Sequence, residues 1–398
     1  MATGKALGLA DALGVTPSGP GFIMIVAGEP SGDLHGAALA RALRAQAPDV
    51  RLIGMGGPAM GEAGVERVVD VTAEASVGFV EVVGRVGILW RAFRRLRALV
   101  RGLTPPRTLV LIDFPEFNMR LARVAWRAGI PVVYFIPPQL WAWRPGRMKT
   151  IRRLVSLVLA VLPFERALYR GAGVKVEFVG HPLRDRMVDA PSRAAARHQL
   201  GLEETDVVLG LLPGSRRVEI AAVLPAMREA AVLIRRRRPA TRFALALAPT
   251  AERRRVEAVL GPESPIQVVE DRTYAVMRAA DLLLVTSGTA TLEAALLGTP
   301  MIVCYRLTAL SEMIARVLVR VPWVSLPNLL AGRAVVPELY RRATTPAQLA
   351  VAALDLLDDG AALAAQREAF REIAEQLGEG NVAARAASLV LAVATRAQ

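Results

Sequence analysis

Short apolar runs alternate with longer Ala-, Leu- and Arg-rich segments along almost all of this 398-residue chain. Each run has the length of a β-strand, and the segments between runs are long enough for helices. Apolar strands separated by helices are typical of βαβ units, whose parallel sheets are covered on both faces. The alternation therefore predicts an α/β protein with at least four strands in each half, at residues 22–26, 109–112, 132–136, 157–162, 207–212, 243–248, 282–285 and 301–305.

A polar stretch at residues 185–197 interrupts this alternation near the middle of the chain. We predict two Rossmann-like, doubly wound domains, at residues 21–185 and 186–360, which face each other across a cleft. Because ligands of such sheets bind at the carboxyl ends of the strands, the cleft is the expected site. Residues 1–20 are expected to form a disordered extension, and residues 361–398 to form helices that cross back onto the first domain.

The composition excludes several classes of protein. Hydrophobic residues make up 53% of the chain and the mean hydropathy is +0.36, yet no apolar stretch reaches the roughly 18 residues of a membrane-spanning helix. The single cysteine, Cys304, excludes a disulfide scaffold. With three histidines beside it, the chain has too few ligands for a structural zinc site. No metal or other cofactor is expected.

The net charge of +14 permits an anionic partner. The sequence contains no helix-turn-helix, zinc-finger or RNA-binding motif, so nucleic acid is not an expected partner. Residues 86–101 instead form an amphipathic, Arg-rich pattern that includes Trp90, Arg94 and Arg95. Such a basic helix can lie on an anionic membrane surface, although an ordinary surface helix has the same periodicity. Apolar residues precede it at Val77, Phe79, Val80 and Val82.

Three glycine-containing loops each follow a predicted strand and precede a helical pattern: residues 27–33 (AGEPSGD), 213–219 (PGSRRVE) and 285–291 (VTSGTAT). Small residues at such a turn let the backbone approach a ligand. The helix N-terminus then offers N–H groups and a positive dipole end to a diphosphate. In the second loop, Gly214 and Ser215 supply amides and Arg216 supplies a forked cation, unless the loop is a plain βα turn.

The third loop also carries hydroxyl and carboxylate groups. Ser287, Gly288 and Thr289 offer hydroxyls and amides at the start of the predicted helix, and Glu293 follows in its second turn. A carboxylate at that position can accept both hydroxyls of a ribose, or it can simply compensate the helix dipole. We favour contact with ribose or phosphate.

Candidate acid–base residues lie in the first half. Asp113 and Glu116 follow a predicted strand in residues 111–118 (LIDFPEFN), where a carboxylate suits a general base that deprotonates an acceptor hydroxyl. Helix capping by Asp113 and simple solvation of Glu116 are the alternatives. Trp141 lines a sugar or acyl-chain site or packs in the core, and His35 and His181 are site residues or structural histidines; the sequence leaves these alternatives open.

Taken together, these segments resemble the lipid-A-disaccharide synthase family, glycosyltransferases of the two-domain GT-B fold. PQLWAWRPGR and SLPNLLAGR are the specific matches. Two departures occur: Pro30 stands where the family usually has Ala, and Phe114 and Glu116 stand where Ala or Ser and Asp are common. The second departure weakens a catalytic role for Glu116. The matching segments are AGEPSGD (27–33), GMGGPAM (54–60), GFVEVVGR (78–85), IDFPEFN (112–118), PQLWAWRPGR (138–147), VGHPL (179–183), LLPGSR (211–216), SGTATLE (287–293) and SLPNLLAGR (325–333).

The resemblance implies an enzyme that joins UDP-2,3-diacylglucosamine to 2,3-diacylglucosamine 1-phosphate (lipid X), releasing UDP and forming the β-1,6-linked disaccharide of lipid A. Asp113 would be the base, Arg216 would bind the diphosphate, and residues 287–293 would hold phosphate and ribose. Asn328 would contact the donor or leaving group. Residues 77–101 would contact the cytoplasmic face of the inner membrane. The expected acceptor residues are Ser31, Asp33, His35, Glu116 and Trp141.

Two other functions are consistent with the same fold. One is another GT-B enzyme, such as a UDP-N-acetylglucosamine 2-epimerase, which would not need residues 77–101. The other is a nucleotide-sugar-binding protein at the membrane surface without turnover, in which replacing Asp113 would leave function intact. Fold alone does not separate these alternatives. The sequence fixes neither the acyl-chain length nor the oligomeric state, and it leaves open whether the base is Asp113, His35 or a bound water.

Overall fold

The computed structural model describes residues 21–70, 81–138, 140, 145–306, 322–340 and 344–395. The chain divides into two compact units, Met1–Pro182 with Glu379–Gln398, and Leu183–Gly378. The elements of the first unit follow in chain order: β1 (Ile23–Ala27), α1 (Pro30–Gln46), β2 (Leu52–Gly56), α2 (Pro58–Glu62), β3 (Glu66–Asp70), α3 (Glu81–Val100), β4 (Thr108–Ile112), α4 (Pro115–Arg127), β5 (Val132–Phe135), a 3₁₀ turn (Pro145–Arg147), α5 (Met148–Leu154), β6 (Leu157–Ala160), α6 (Pro163–Gly171) and β7 (Val176–Phe178).

The second unit repeats the alternation of strands and helices. Its elements are α7 (Leu183–Arg186), a 3₁₀ turn (Met187–Asp189), α8 (Arg193–Leu200), β8 (Val208–Leu212), α9 (Arg217–Arg237), β9 (Arg242–Leu247), α10 (Arg253–Leu260), β10 (Ile266–Glu270), α11 (Thr273–Ala279), β11 (Leu282–Thr286), α12 (Thr289–Leu296), β12 (Met301–Tyr305), α13 (Leu326–Ala331), β13 (Glu338–Tyr340), α14 (Pro346–Asp358) and α15 (Gly360–Gln376).

Each unit contains one parallel sheet with the same winding. The strand order is β3-β2-β1-β4-β5-β6-β7 in the first unit and β10-β9-β8-β11-β12-β13 in the second. In both sheets the first strand of the unit lies between the second and the fourth. In the first sheet, Ile23 of β1 lies opposite Leu52 of β2 and Thr108 of β4. In the second sheet, Leu209 of β8 lies opposite Phe243 of β9 and Leu282 of β11. The prediction of two doubly wound α/β units is therefore confirmed.

The first sheet is covered on both faces. Met24 and Leu109 point to a core shared with Ala92 of α3, Leu121 of α4 and Ile151 of α5. The alternate strand positions point to the opposite face, where α1 packs against β1.

The last helix, α16 (Val382–Thr395), belongs to this first unit. It packs against α1, β4 and β5. The side chain of Gln46 on α1 donates to the carbonyl of Ala384 at 2.8 Å, and the Arg385 guanidinium donates twice to the carbonyl of Val179, at 2.9 and 2.7 Å. These bonds fix the end of the chain to the first sheet.

All eight predicted strands are present, within one or two residues of the predicted ends. Five further strands were not predicted: β2, β3, β7, β10 and β13. Four of these, β3, β7, β10 and β13, are the edges of their sheets. An edge strand is exposed on one side, so it can be short and polar and lacks the continuous apolar run of a central strand.

Candidate active site

The second unit has a topological switch point between β8 and β11. The chain leaves β8 towards one edge of the sheet and returns on the other side of β8 as β11. Ligands of such sheets bind beside this point, at the carboxyl ends of the strands. A cavity of about 750 Å³ lies there, lined by residues that follow β8, β9, β10 and β11. This volume lies within the range of small-molecule sites.

The turn from β8 to α9 places a guanidinium at the cavity. Gly214 has a φ of +108°, and a Cβ there would lie 2.9 Å from Glu219 Oε2. The Arg216 N–H donates to Glu219 Oε2 at 3.3 Å and its Nη1 donates to Oε1 at 2.9 Å. The Arg216 side chain is 81% exposed. A guanidinium has five N–H donors, so the bond to Glu219 orients the group at the cavity and leaves other donors for a ligand.

The turn from β11 to α12 supplies hydroxyls and amides. The Thr286 Oγ1 is buried and has no hydrogen-bond partner among the described residues. Gly288 has a φ of +154°, which favours glycine, and α12 begins one residue later. The N–H of Thr291 donates to the Gly288 carbonyl at 3.2 Å, whereas the N–H groups of Thr289 and Ala290 have no helix carbonyl to bond. A buried hydroxyl without a partner next to unpaired amides suits a polar, anionic ligand.

A carboxylate lies in the second turn of α12. Glu293 is 14% exposed, and its Oε1 accepts a hydrogen bond of 2.9 Å from the Tyr274 hydroxyl. Arg186 Nη1 lies 3.8 Å from the same oxygen, and its guanidinium lies 5.9 Å from the Tyr274 ring centroid. Burial and, second, the charge of Glu293 raise the pKa of Tyr274. The phenol therefore stays protonated and holds one carboxylate oxygen in place.

Asn328 is completely buried. Its Nδ2 donates to the Val336 carbonyl at 3.0 Å and to Glu338 Oε1 at 2.9 Å. Its Oδ1 accepts from the N–H groups of Val335 and Val336, at 2.7 and 2.9 Å. The side-chain amide thus makes all of its hydrogen bonds inside the unit and supports the loop. The predicted contact of Asn328 with the donor stays a prediction.

This scaffold reaches the cavity through the backbone. Glu338 accepts from the N–H groups of Val324 and Ser325, both at 3.0 Å, and from the Ser325 hydroxyl at 2.7 Å. The Val324 carbonyl in turn accepts from the Ser287 Oγ at 2.8 Å. The specific segment at residues 325–333 therefore fixes the position of Ser287 and does not line the cavity itself.

The first unit has the same switch point, between β1 and β4, and Asp113 follows β4 there. Asp113 and Phe114 have φ values of +45° and +46°, in the left-handed region that is costly for residues other than glycine. The Asn118 Nδ2 donates to the Asp113 carbonyl at 2.7 Å, and the Tyr134 hydroxyl donates to it at 2.8 Å. These two side chains from α4 and β5 hold the strained turn.

The carboxyl of Asp113 is suited to accept a proton. Its partial burial, followed by the nearby carboxylate of Glu29, raises its pKa, while a hydrogen bond from the Phe114 backbone acts in the opposite direction. Glu29 is the residue that precedes α1, at the adjacent end of β1. A carboxylate with a raised pKa is a stronger base than a solvated one, as general-base catalysis requires.

Asp33 has a structural role in this arrangement. It is 6% exposed, and its Oδ1 accepts from the N–H groups of Gly57 and Met60 at 2.7 and 3.1 Å, while its Oδ2 accepts from Ala59 at 3.0 Å. The carboxylate thus caps α2. Both carboxylate oxygens accept from the backbone, and the predicted contact of Asp33 with the acceptor stays a prediction.

The other predicted acceptor residues differ in their surroundings. Glu116 is 66% exposed and pairs with Arg147 at 2.5 Å, and Ser31 is exposed at the start of α1. His181 is partly buried. Desolvation and, second, the charge of His35 lower the pKa of His181 to about 4, so its imidazole is neutral near pH 7. Trp141 lies outside the described residues.

The predicted membrane-contact residues are only partly described. Val77, Phe79 and Val80, like residues 1–20, lie outside the described residues, as does the side chain of Val82. On α3, Trp90 is 58% exposed with the Arg94 guanidinium 4.7 Å from its ring centroid, and Arg95 donates to the Val68 carbonyl at 3.2 Å. In the described part of the chain, no helix is both long and apolar enough to cross a bilayer.

Comparison with known proteins decides the family. A family model described as lipid-A-disaccharide synthetase matches residues 23–393. A lipid-A-disaccharide synthase of Geobacter sulfurreducens is 44% identical over 370 residues, which cover 93% of this chain and 96% of that protein. The chain belongs to the lipid-A-disaccharide synthase family. It is therefore a glycosyltransferase of lipid A disaccharide synthesis that uses a UDP-sugar donor.

Solved structures extend the comparison to the fold. The chain resembles Staphylococcus aureus MnaA, solved with UDP, at a TM-score of 0.63 and 15% identity, over 92% of this chain and 94% of that one. It resembles CalG4, the calicheamicin glycosyltransferase, at a TM-score of 0.57 and 18% identity, over 94% and 99% of the two chains. These likenesses confirm the GT-B fold. Identities this low do not favour an epimerase over a lipid-A-disaccharide synthase.

Within this family member, the cavity of the second unit brings together most of the predicted donor residues. The sequence analysis missed Tyr274, Arg186 and Glu338. Tyr274 follows β10, an edge strand that the apolar pattern did not predict. Among the described residues, no three His, Cys, Asp or Glu side chains form a group that could hold a metal. The predicted donor residues that line the cavity are Gly214, Ser215, Arg216, Ser287, Gly288, Thr289 and Glu293.

Proposed function

We propose that this enzyme transfers the sugar of UDP-2,3-diacylglucosamine to the 6-hydroxyl of 2,3-diacylglucosamine 1-phosphate (lipid X), with Asp113 as the base and the cavity of the second unit as the donor site. The observation that supports the donor site best is the cavity itself. It combines an oriented guanidinium, two helix starts and a buried hydroxyl without a partner. The fold neighbours solved with UDP and with UDP-GlcNAc support binding of a uridine nucleotide to such a fold.

The proposed reaction is a single displacement. Asp113 takes the proton of the acceptor hydroxyl, the resulting oxygen attacks the anomeric carbon, and the bond from that carbon to the diphosphate breaks. UDP leaves with the electron pair of that bond, so negative charge grows on the diphosphate. Arg216 and the first amides of α9 and α12 are placed to stabilise this charge. The attack inverts the configuration, which agrees with a β-1,6 product.

Glu293 and Tyr274 are proposed to set the position of the nucleotide. The free oxygen of the Glu293 carboxylate accepts the ribose hydroxyls, while the Tyr274 hydroxyl holds the other oxygen at 2.9 Å. Asn328 is proposed to act indirectly, through the Val324 carbonyl that binds Ser287. Ser31, His35 and Glu116 remain proposed acceptor contacts, and Trp141 is proposed with them.

Association with the cytoplasmic face of the inner membrane is part of this proposal. Both substrates carry two acyl chains, so an enzyme that acts on them has to reach the membrane surface. Region 77–101 supplies the contact through its apolar start and through Trp90, Arg94 and Arg95, because aromatic and basic side chains on one helix favour an anionic interface.

The direct test is UDP release from UDP-2,3-diacylglucosamine in detergent, with and without lipid X. Asp113→Asn is the informative variant and Asp49→Asn is the matched control, since Asp49 is exposed in the turn between α1 and β2, away from the carboxyl edge of the sheet. Release that depends on lipid X and falls by roughly 10²–10⁴-fold in Asp113→Asn alone supports the proposal. Release that ignores lipid X would refute the transferase mechanism, and full activity of Asp113→Asn would exclude Asp113 as the base.

A further inference from the structure

The outer surface of the helical layer α3–α4–α5 is strongly basic. α3 packs on α4 and α4 packs on α5, all on one face of the first sheet. Across the described side chains of these three helices the one acidic residue is Glu116. The exposed basic residues are Arg91, Arg94, Arg95, Arg97, Arg120, Arg123, Arg127, Lys149, Arg152 and Arg153. A face of one sign this broad attracts an anionic surface.

Two exposed tryptophans lie within this basic surface. Trp90 on α3 is 58% exposed and Trp126 on α4 is 48% exposed. Each has a guanidinium over its ring, from Arg94 at 4.7 Å and from Arg153 of α5 at 5.7 Å. Tryptophan and arginine are both amphipathic, with an apolar body and a polar tip, and this combination favours the headgroup region of a bilayer.

The second pair of tryptophan and arginine, Trp126 with Arg153, lies far from the carboxyl edge of the sheet. Helices in βαβ units run antiparallel to the strands, so α4 begins near Asp113 and ends near the amino edge. Trp126 is the residue before the last of α4, roughly 16 Å from its start at about 1.5 Å per residue. A contact made only by the first half of α3 would have no use for Trp126 and Arg153 on the surface.

We propose that the whole α3–α4–α5 layer lies flat on an anionic phospholipid surface, with Trp126, Arg123, Arg127 and Arg153 as a second attachment beside α3. This inference rests on the proposed membrane association of region 77–101 and adds an orientation to it. One helix would leave the unit free to rotate about its attachment, whereas neighbouring helices define a plane. The exposed tryptophans and the acylated substrates favour lipid over nucleic acid as the anionic partner.

The first test measures binding to vesicles of phosphatidylglycerol and phosphatidylcholine by cosedimentation. Arg123→Gln/Arg127→Gln removes two charges from α4, and Arg41→Gln/Arg44→Gln removes two exposed charges from α1 on the opposite face. Each basic residue near an anionic surface contributes about five-fold in binding, from about 1 kcal/mol. We expect the α4 variant to bind about 25-fold more weakly and the α1 variant to bind like the wild type.

The second test reads the orientation directly. An environment-sensitive fluorophore is attached to Trp126→Cys or, as the control, to Arg41→Cys. The natural Cys304 does not compete, since it is completely buried and burial raises its thiol pKa to about 12. A blue shift on vesicle binding at position 126 and none at position 41 is the expected result.

The outcomes separate this inference from the proposed function. UDP release in detergent reports whether the α4 variant is folded and active without any membrane. If Trp90→Ala weakens vesicle binding and the α4 variant does not, the contact through region 77–101 stands and the flat orientation is overturned. If neither variant weakens vesicle binding, both the contact through region 77–101 and the flat orientation are overturned. If the α4 variant loses binding to a DNA duplex but keeps vesicle binding, the basic surface serves nucleic acid and the inference is wrong.

Discussion

The turn that holds Asp113 depends on the absence of a side chain at Gly28. A Cβ built on Gly28 would lie 2.5 Å from Cγ and 2.6 Å from Cε1 of the Phe114 ring, where ordinary contacts are about 3.5–4.0 Å. The ring cannot move freely, because it stacks on Phe117 with centroids 5.6 Å apart. Gly28→Ala therefore has to displace Phe114 by about 1 Å, and with it the adjoining Asp113.

Two consequences of Gly28→Ala are measurable. Overpacking of this kind typically costs about 1–3 kcal/mol, and each kcal/mol lowers the Tm by about 2–4 °C in a unit of roughly this size. Displacing Asp113, the proposed base, also costs rate, since a shift of about 1 Å can reduce catalysis by roughly 10²-fold. We expect a lower Tm by calorimetry and a lower kcat for UDP release, with little change in the KM for the donor.

Gly171→Ala is the matched control in the same unit. Gly171 is the last residue of α6, and a Cβ built there has open space around it. Alanine at this position is therefore expected to leave the Tm unchanged or raise it slightly. If Gly28→Ala has the Tm and kcat of the Gly171→Ala control, the turn is not held by close packing of Phe114. The account of how Asp113 is positioned would then be refuted.

Two further predictions concern stability. Because the folded-state pKa of Asp113 is raised above the ordinary value of 3.8, the wild type loses stability as pH rises from about 4 through the raised pKa, whereas Asp113→Asn has no such loss. The stability advantage of Asp113→Asn in urea unfolding should therefore grow from about pH 4 upward, and an advantage independent of pH would contradict this. Arg197 is 1% exposed and donates to three backbone carbonyls and to Asp281, whereas Arg193 on the same carboxylate is 40% exposed. Arg197→Met should therefore cost about 3 kcal/mol or more in chemical denaturation and Arg193→Met about 1 kcal/mol or less, and equal costs would disprove the reasoning.

The separate roles of Ser287 and Asn328 show how far sequence motifs reach. Both belong to segments that match the family, and both were predicted to contact the donor. The residue types at a βα turn identify Ser287 as a ligand candidate because backbone geometry alone places such a turn at the carboxyl edge. Asn328 follows no strand directly, and only folding shows that its amide is consumed by Val335, Val336 and Glu338. A motif therefore marks the region of the site, but it does not distinguish residues that line the cavity from residues that hold the loop in place.

The sequence by itself determined the architecture and the location of the site. Periodic apolar runs define central strands because both faces of a parallel sheet are buried, and small residues after those strands define the anion-binding turns. Only the tertiary structure decided which side chains meet there. Tyr274 reaches Glu293 from α11, the helix that follows an edge strand too polar to recognise. Partial burial and, second, the charge of Glu29 raise the pKa of Asp113, although Glu29 and Asp113 follow two strands that are far apart in the chain. Hydrogen bonds and charge interactions depend on distances in space, and no local pattern records those distances.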